Sequence, residues 1–146
     1  MNRLMGVVFK LSVVALVALA NVGCDEGGGQ CIPQVKVYAF YETIEATGQK
    51  KPDVGAKVFY YRNCIENLSG YEYREDGTIM NGDLAVIVPD EQFVIGESGS
   101  VFFIPEDQRG SATIVIESHY YHGKIKSAYF ATPSDGAGVY VVFKPE

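Results

Sequence analysis

The chain has 146 residues, 47% of them apolar, 12% aromatic and 21% charged, with 16 Gly, 6 Pro, 3 Cys and no Trp. That length and composition bound it to one globular domain of ordinary size and exclude a disordered or collagen-like chain. Twelve Lys and Arg against eighteen Asp and Glu give a net charge of −6, so the clustered cations that phosphate backbones require are absent and nucleic acid is not an expected partner.

Residues 1–10 hold both early cations, Arg3 and Lys10, and no acid, and residues 11–20 (LSVVALVALA) are uncharged. A transmembrane helix needs about 20 apolar residues to cross a hydrocarbon core of about 30 Å, twice this run. A basic flank followed by a short apolar stretch is instead the layout of a secretory signal peptide. The run is followed by Asn21-Val22-Gly23-Cys24. A small residue directly before a Cys at this point resembles a bacterial lipoprotein signal. In that family the Cys takes fatty acyl chains such as palmitate and becomes the mature N-terminus. Gly23 fits, whereas Asn21 stands where the signal usually carries a Leu-like residue. Ala18-Leu19-Ala20 offers a competing A-x-A cleavage site that would release an unlipidated chain starting at Asn21.

Lipidation at Cys24 divides the chain into a signal peptide (1–23), an acidic, Gly-rich tether (24–30) and a folded domain (31–146). Removing residues 1–23 takes away Arg3 and Lys10 and no acid, leaving 10 basic against 18 acidic side chains and a net charge of −8. Asp25 to Gln30 separate the lipid from Cys31; a flexible linker of that length reaches about 13 Å and at most about 20 Å. The domain therefore stays close to its membrane, and its acidity predicts no attraction to anionic headgroups. Asp25-Glu26 after the Cys resembles both an inner-membrane retention signal and a surface-export signal. The two conflict, and we expect the outer membrane or cell surface of a bacterial envelope.

Three cysteines in an oxidising compartment leave one unpaired. With Cys24 acylated, Cys31 and Cys64 remain as a disulfide pair. Residues 34–42 and 55–62 read as strands, and pairing them as an antiparallel hairpin brings the two thiols nearly opposite each other. Closing that loop is worth at most about 3–4 kcal/mol in the chain-entropy view. Further strand-like runs rich in Val, Ile, Tyr and Phe follow at 70–75, 83–88, 92–96, 100–104, 111–119, 123–131 and 138–144. Alternation is cleanest in Ala112-Thr113-Ile114-Val115-Ile116 and in Val139-Tyr140-Val141-Val142-Phe143. Asp76-Gly77 and Asn81-Gly82 are hairpin dipeptides, and all six prolines fall at or beyond the ends of the runs, as a sheet requires. These features predict an all-β domain, a two-layer sandwich of about seven to nine strands.

The segment Thr47-Gly48-Gln49-Lys50-Lys51-Pro52-Asp53-Val54-Gly55-Ala56-Lys57-Val58 resembles the opening TG-x-P-x-x-GA-x-V pattern of carboxypeptidase regulatory-like domains. The Glu75-Asp76-Gly77 and His122-Gly123-Lys124 turns are loosely similar to later turns of that family. The resemblance implies a transthyretin-like (prealbumin-like, Ig-like) sandwich that serves as a structural or binding module without chemistry of its own.

Candidate sites are few. His119 and His122 are the only histidines and, with Glu117, would supply three metal ligands if a bend brought them together; on an extended strand, residues three apart face opposite ways. A solvated pair at a strand end is the simpler expectation. Gly96-Glu97-Ser98-Gly99-Ser100 brushes against a nucleophile elbow but precedes a strand rather than a helix, so we read a hairpin turn. Among the ten tyrosines, Tyr60 and Tyr61 beside Arg62, and Tyr71 and Tyr73 beside Arg74, form a possible binding surface, with filling of core and sheet edges as the alternative. The expected function is a membrane-anchored, non-catalytic lipoprotein, without cofactor, that binds a protein or glycan at the same membrane. The alternatives are an assembly subunit that pairs through a sheet edge and a metal-dependent hydrolase.

Overall fold

Val35, Val37 and Ala39 are fully buried while Lys36, Tyr38 and Phe40 between them are not, so strand β1 (Val35–Tyr41) has one face in the core and one facing out. The structure is a computed structural model that describes residues 34–62, 69–106, 111–130 and 137–146. Cys24, Cys31 and Cys64, the signal segment and the tether lie outside the described residues.

The described residues are all-β, without helix. After β1 come β2 (Lys51–Pro52), β3 (Lys57–Arg62), β4 (Glu72–Tyr73), β5 (Ile79–Asn81), β6 (Leu84–Ile87), β7 (Glu91–Val94), β8 (Ser100–Phe103), β9 (Ala112–Glu117), β10 (Ile125–Phe130) and β11 (Ala137–Phe143). No helix among them is long and apolar enough to cross a membrane. Every strand run expected from the sequence contains a strand. The additional β2 and β5 have two and three residues, too short for an alternation to register beside the turns that flank them.

Three sheets result. In the first, β1 is central: it pairs in parallel with β11 along its whole length and antiparallel with both β8 and β2 on its other side. The second runs β10-β9-β3-β7, all antiparallel. Their inward faces share one core: Val35, Val37, Ala39, Phe103, Val139, Val141 and Phe143 of the first sheet meet Val58, Tyr60, Ile114 and Ile116 of the second. The third sheet, β4-β5-β6, covers the outer face of the second and makes a smaller core of Phe59, Tyr61, Ile79 and Val115.

The hairpin expected between residues 34–42 and 55–62 is not formed. β1 and β3 belong to different sheets and face each other across the core, because both carry an apolar inward face. Lys51-Pro52 takes the place beside β1 that the hairpin reading gives to β3, and the chain then crosses to the second sheet. β1 and β3 therefore form no hairpin mouth that would set two thiols opposite each other. Gly96–Gly99 is likewise a turn, but it links β7 of one sheet to β8 of the other instead of closing a hairpin.

Coverage on both faces explains the composition of β3 and β9. Val58 and Tyr60 point into the main core and Phe59 and Tyr61 into the second, so four successive residues are buried. All six residues of β9 are buried for the same reason. Strands enclosed on two sides lose the polar half of their alternation. The Tyr61 hydroxyl donates to the carbonyl of Gly77, and Gly77 lies on the Phe59 ring with φ +84, so that a Cβ there would overlap the ring. Gly82, with φ +61, faces open space. Gly77→Ala is expected to lower stability by about 2–4 kcal/mol, through steric overlap added to backbone strain, and Gly82→Ala by only about 1 kcal/mol. Urea denaturation of the two variants checks the difference.

Candidate functional site

The corner of the domain where β3 begins and β9 ends is organised by one buried carboxylate. Asp53 follows β2, and its side chain sits almost wholly out of solvent, 1% exposed. Its N–H donates to the Ala39 carbonyl at 3.0 Å and its carbonyl accepts from the Ala56 N–H at 3.0 Å, which turns the chain from the first sheet to the second. Gly55 makes that turn at φ +90, against the His119 ring. The Asp53 carboxylate then accepts the Ser118 hydroxyl at one oxygen and the Tyr120 N–H, at 2.9 Å, at the other. Ser118 Oγ accepts the Tyr121 N–H at 2.9 Å, and Ser118 N–H donates to the Lys124 carbonyl at 2.9 Å. A buried carboxylate is tolerable only with such donors around it, and here they fix the whole bend from Ser118 to Lys124.

The bend is also held from the side of the first sheet. Tyr120 stacks on Tyr41 with centroids 3.9 Å apart, the Tyr121 hydroxyl donates to the Glu42 carbonyl at 2.6 Å, and Lys124 Nζ donates to the Lys144 carbonyl at 2.8 Å. Glu42 is itself buried, accepting from the Gly48 N–H at 3.2 Å with Lys144 Nζ 3.9 Å away.

With Tyr120 and Tyr121 held against the first sheet, His119 and His122 line a cleft on the other side. The cleft is open, about 260 Å³, and lined by Gly55, Lys57, Glu75, Glu117, Ser118, His119 and His122. The bend brings the imidazoles to 5.9 Å between centroids at 64°, so the two histidines that an extended strand would separate do share a surface. Lys57 and Glu117 are register partners across β3 and β9. Lys57 Nζ also donates to the Glu75 carbonyl at 3.1 Å, and the Tyr73 hydroxyl donates to Glu117 Oε2 at 3.1 Å. Burial, followed by the neighbouring Glu117 carboxylate, pushes the Tyr73 phenol well above its ordinary pKa and keeps it a donor. Glu117, the third ligand suggested beside the histidines, is thus engaged by Tyr73, and no trio of His, Cys, Asp or Glu among the described residues is arranged to hold a metal ion. The cleft offers a cation, carboxylates, imidazoles and a hydroxyl side by side, a lining suited to a polar ligand.

The tyrosines singled out from the sequence do not form a surface. Tyr60 is 1% and Tyr61 0% exposed; they lie on opposite faces of β3, each in a different core. Tyr71 and Tyr73 are half-buried against the second core. The first sheet buries Tyr60 and the third sheet covers Tyr61, and no local pattern tells which face of β3 a neighbouring sheet will cover. Asp53 escapes notice as a site residue because its partners are 65 and 67 residues away; the signal for it is an acid placed between Pro52 and Gly55 at a sheet-to-sheet turn. A row of aromatic side chains on the outward face of β1 is equally inconspicuous, its signal being the Lys36, Tyr38, Phe40 alternation.

Comparison of the chain with protein-family models, with curated proteins and with solved structures returned no match.

Asp53→Ala, which strips the buried Ser118 hydroxyl and the part-buried Tyr120 N–H of their acceptor, is expected to cost about 3 kcal/mol, and Asp53→Asn, which keeps one acceptor, about 1 kcal/mol. Denaturation midpoints check the energies. NMR linewidths of His119 and His122, broadened in Asp53→Ala and not in Asp53→Asn, check that the carboxylate fixes the bend.

Proposed function

We propose that the protein is a lipid-anchored, non-catalytic binding module of a bacterial envelope, acylated at Cys24 and recognising a polar partner, a protein or glycan at the same membrane, through the corner cleft. The observation that carries this reading is the cleft itself. It is open to solvent, lined by Lys57, Glu75, Glu117, His119 and His122, and held by the hydrogen bonds that the buried Asp53 carboxylate accepts from the Ser118 hydroxyl and the Tyr120 N–H. The lipoprotein-like Gly23-Cys24 junction supports the anchor. The all-β architecture, with two sheets sharing a core and the Pro52-Asp53-Val54-Gly55-Ala56 turn passing between them, supports a sandwich of the Ig-like or transthyretin-like kind found in carboxypeptidase regulatory-like domains. We retain Cys31 and Cys64 as a disulfide in this reading. In support, Val35 pairs with Phe103 and Phe103 meets Tyr60 edge-on at 5.7 Å, so β1 begins at the end of the domain where β3 finishes.

A second reading, assembly by strand addition, draws on β6. This strand pairs only with β5 among the described strands and leaves Leu84 74% and Val86 45% exposed, with Val88, just past its end, 65% exposed. An apolar strand at a sheet edge is a template for another chain.

Purification of the full chain from detergent-solubilised membranes tests both. The first reading expects a mature species acylated at Cys24 and a bound polar partner whose recovery falls about tenfold or more in the Lys57→Ala, His119→Ala, His122→Ala variant. Loss of the partner in Val86→Pro but not in that triple variant favours assembly. An unmodified chain beginning at Asn21 contradicts the anchor.

A further inference from the structure

The outward face of the first sheet has a composition that its position does not explain. On a sheet with one face in the core, the other face is normally polar. Here the outward positions of β1 are Lys36, Tyr38 and Phe40. Register places Phe102 beside Lys36 and Tyr140 beside Tyr38. Tyr38 meets Phe102 edge-on at 6.0 Å and Tyr140 at 6.3 Å, and Phe40 meets Tyr140 at 5.4 Å. Lys50 Nζ lies 5.1 Å from the Tyr140 centroid. Phe102 remains 52% and Tyr140 39% exposed. The second sheet has its outer face covered by β4, β5 and β6; no described sheet covers this one.

Charge is segregated as well. In a chain of net charge −6, the outward positions of β1, β8 and β11 hold no acid before Glu42, which is buried at the far end beside Lys144. The face therefore combines rings with two cations, Lys36 and Lys50, on an otherwise acidic domain. The rings meet edge-on or tilted and form a continuous strip, which suits a broad flat surface better than a single inserted group.

We infer that this face, Lys36, Tyr38, Phe40, Lys50, Phe102 and Tyr140, rests on a lipid surface that carries anionic headgroups. The inference depends on the anchor at Cys24 proposed above. Ten residue steps lead from Cys24 to Gln34, at which the described chain begins, and even fully extended they span at most about 35 Å. They run directly into β1, the central strand of this sheet, at the end where Lys36 and Phe102 lie. Phenylalanine enters the acyl boundary, tyrosine settles at headgroup level and lysine reaches phosphate, each contributing through its own solvation preference. The expectation from net charge, that the domain gains nothing from anionic headgroups, averages over the whole chain, whereas the outward positions of β1, β8 and β11 hold no acid before Glu42.

The absence of tryptophan makes the test direct. Phe102→Trp, with Tyr140→Trp as a second reporter, places one indole on the face; Val94→Trp places one on the exposed edge strand β7 of the second sheet. The full mature chain is reconstituted in vesicles of brominated phosphatidylcholine mixed with phosphatidylglycerol, and its intact mass is read from the same sample. The expected result is an acylated chain in which bromine quenches the indole of Phe102→Trp about twofold or more and leaves that of Val94→Trp nearly unchanged. Adding Lys36→Glu and Lys50→Glu reduces the quench towards the level of the edge-strand reporter. An acylated chain whose indoles in Phe102→Trp and Tyr140→Trp stay unquenched overturns the membrane face and leaves the anchor standing. Protection of the Phe102→Trp indole by a copurifying protein or glycan, without lipid quenching, does the same. An unacylated chain overturns both, and the mass tells the two failures apart.

Discussion

The ladder between β3 and β9, from Lys57 opposite Glu117 to Arg62 opposite Ala112, is the constraint on which the rest of the domain depends. Among the described strands it is the pair with apolar cover on both faces: the first sheet lies over Val58, Tyr60, Ile114 and Ile116, and the small third sheet over Phe59, Tyr61 and Val115. Each of those side chains is nearly or wholly buried, and full burial of one such residue is worth about 1.5–3 kcal/mol before entropy is counted. The cleft opens at the Lys57 and Glu117 end of this ladder, so its charged lining inherits the rigidity of the best-buried part of the molecule.

Polar groups then decide what the ends of the ladder do. Asp53 connects the first sheet, the crossing turn and the His119–His122 bend. A buried carboxylate that accepts several hydrogen bonds costs desolvation but excludes other arrangements of the loops that supply them. The imidazoles meet at the cleft for this reason, although the sequence between Ser118 and Gly123 shows only a run of polar and aromatic residues. Acids gather at this corner while the outward positions of the first sheet hold none before Glu42, so a domain with a strongly negative total carries a small basic and aromatic face.

The sequence is informative about which residues face inward and weakly informative about what they face. Alternation in β9 and β11 and the Asp76-Gly77 turn identify strands and a turn that the structure contains. Pairing is different: β1 and β3 each have an inward apolar face, and nothing local distinguishes lying side by side from lying face to face across a core. The parallel partner of β1 comes from the far end of the chain, beyond any local signal. Tyr60 and Tyr61 next to Arg62 read as a surface because a strand with both faces covered and an exposed aromatic strand look alike until the covering sheet is known. Conversely, Tyr38, Phe40 and Tyr140 draw no notice in the sequence, because nothing local tells which face of an alternating strand another sheet covers.

Amide hydrogen exchange on the full mature chain tests the primacy of the β3–β9 ladder most directly. The amides of Val58 to Tyr61 and Thr113 to Ile116 are expected to exchange slowest and only through global unfolding, while those of β4, β5 and β6 exchange earlier as the third sheet lifts away. Exchange of β3 and β9 that is faster than that of β1 and β11, or simultaneous with that of the third sheet, would contradict that primacy.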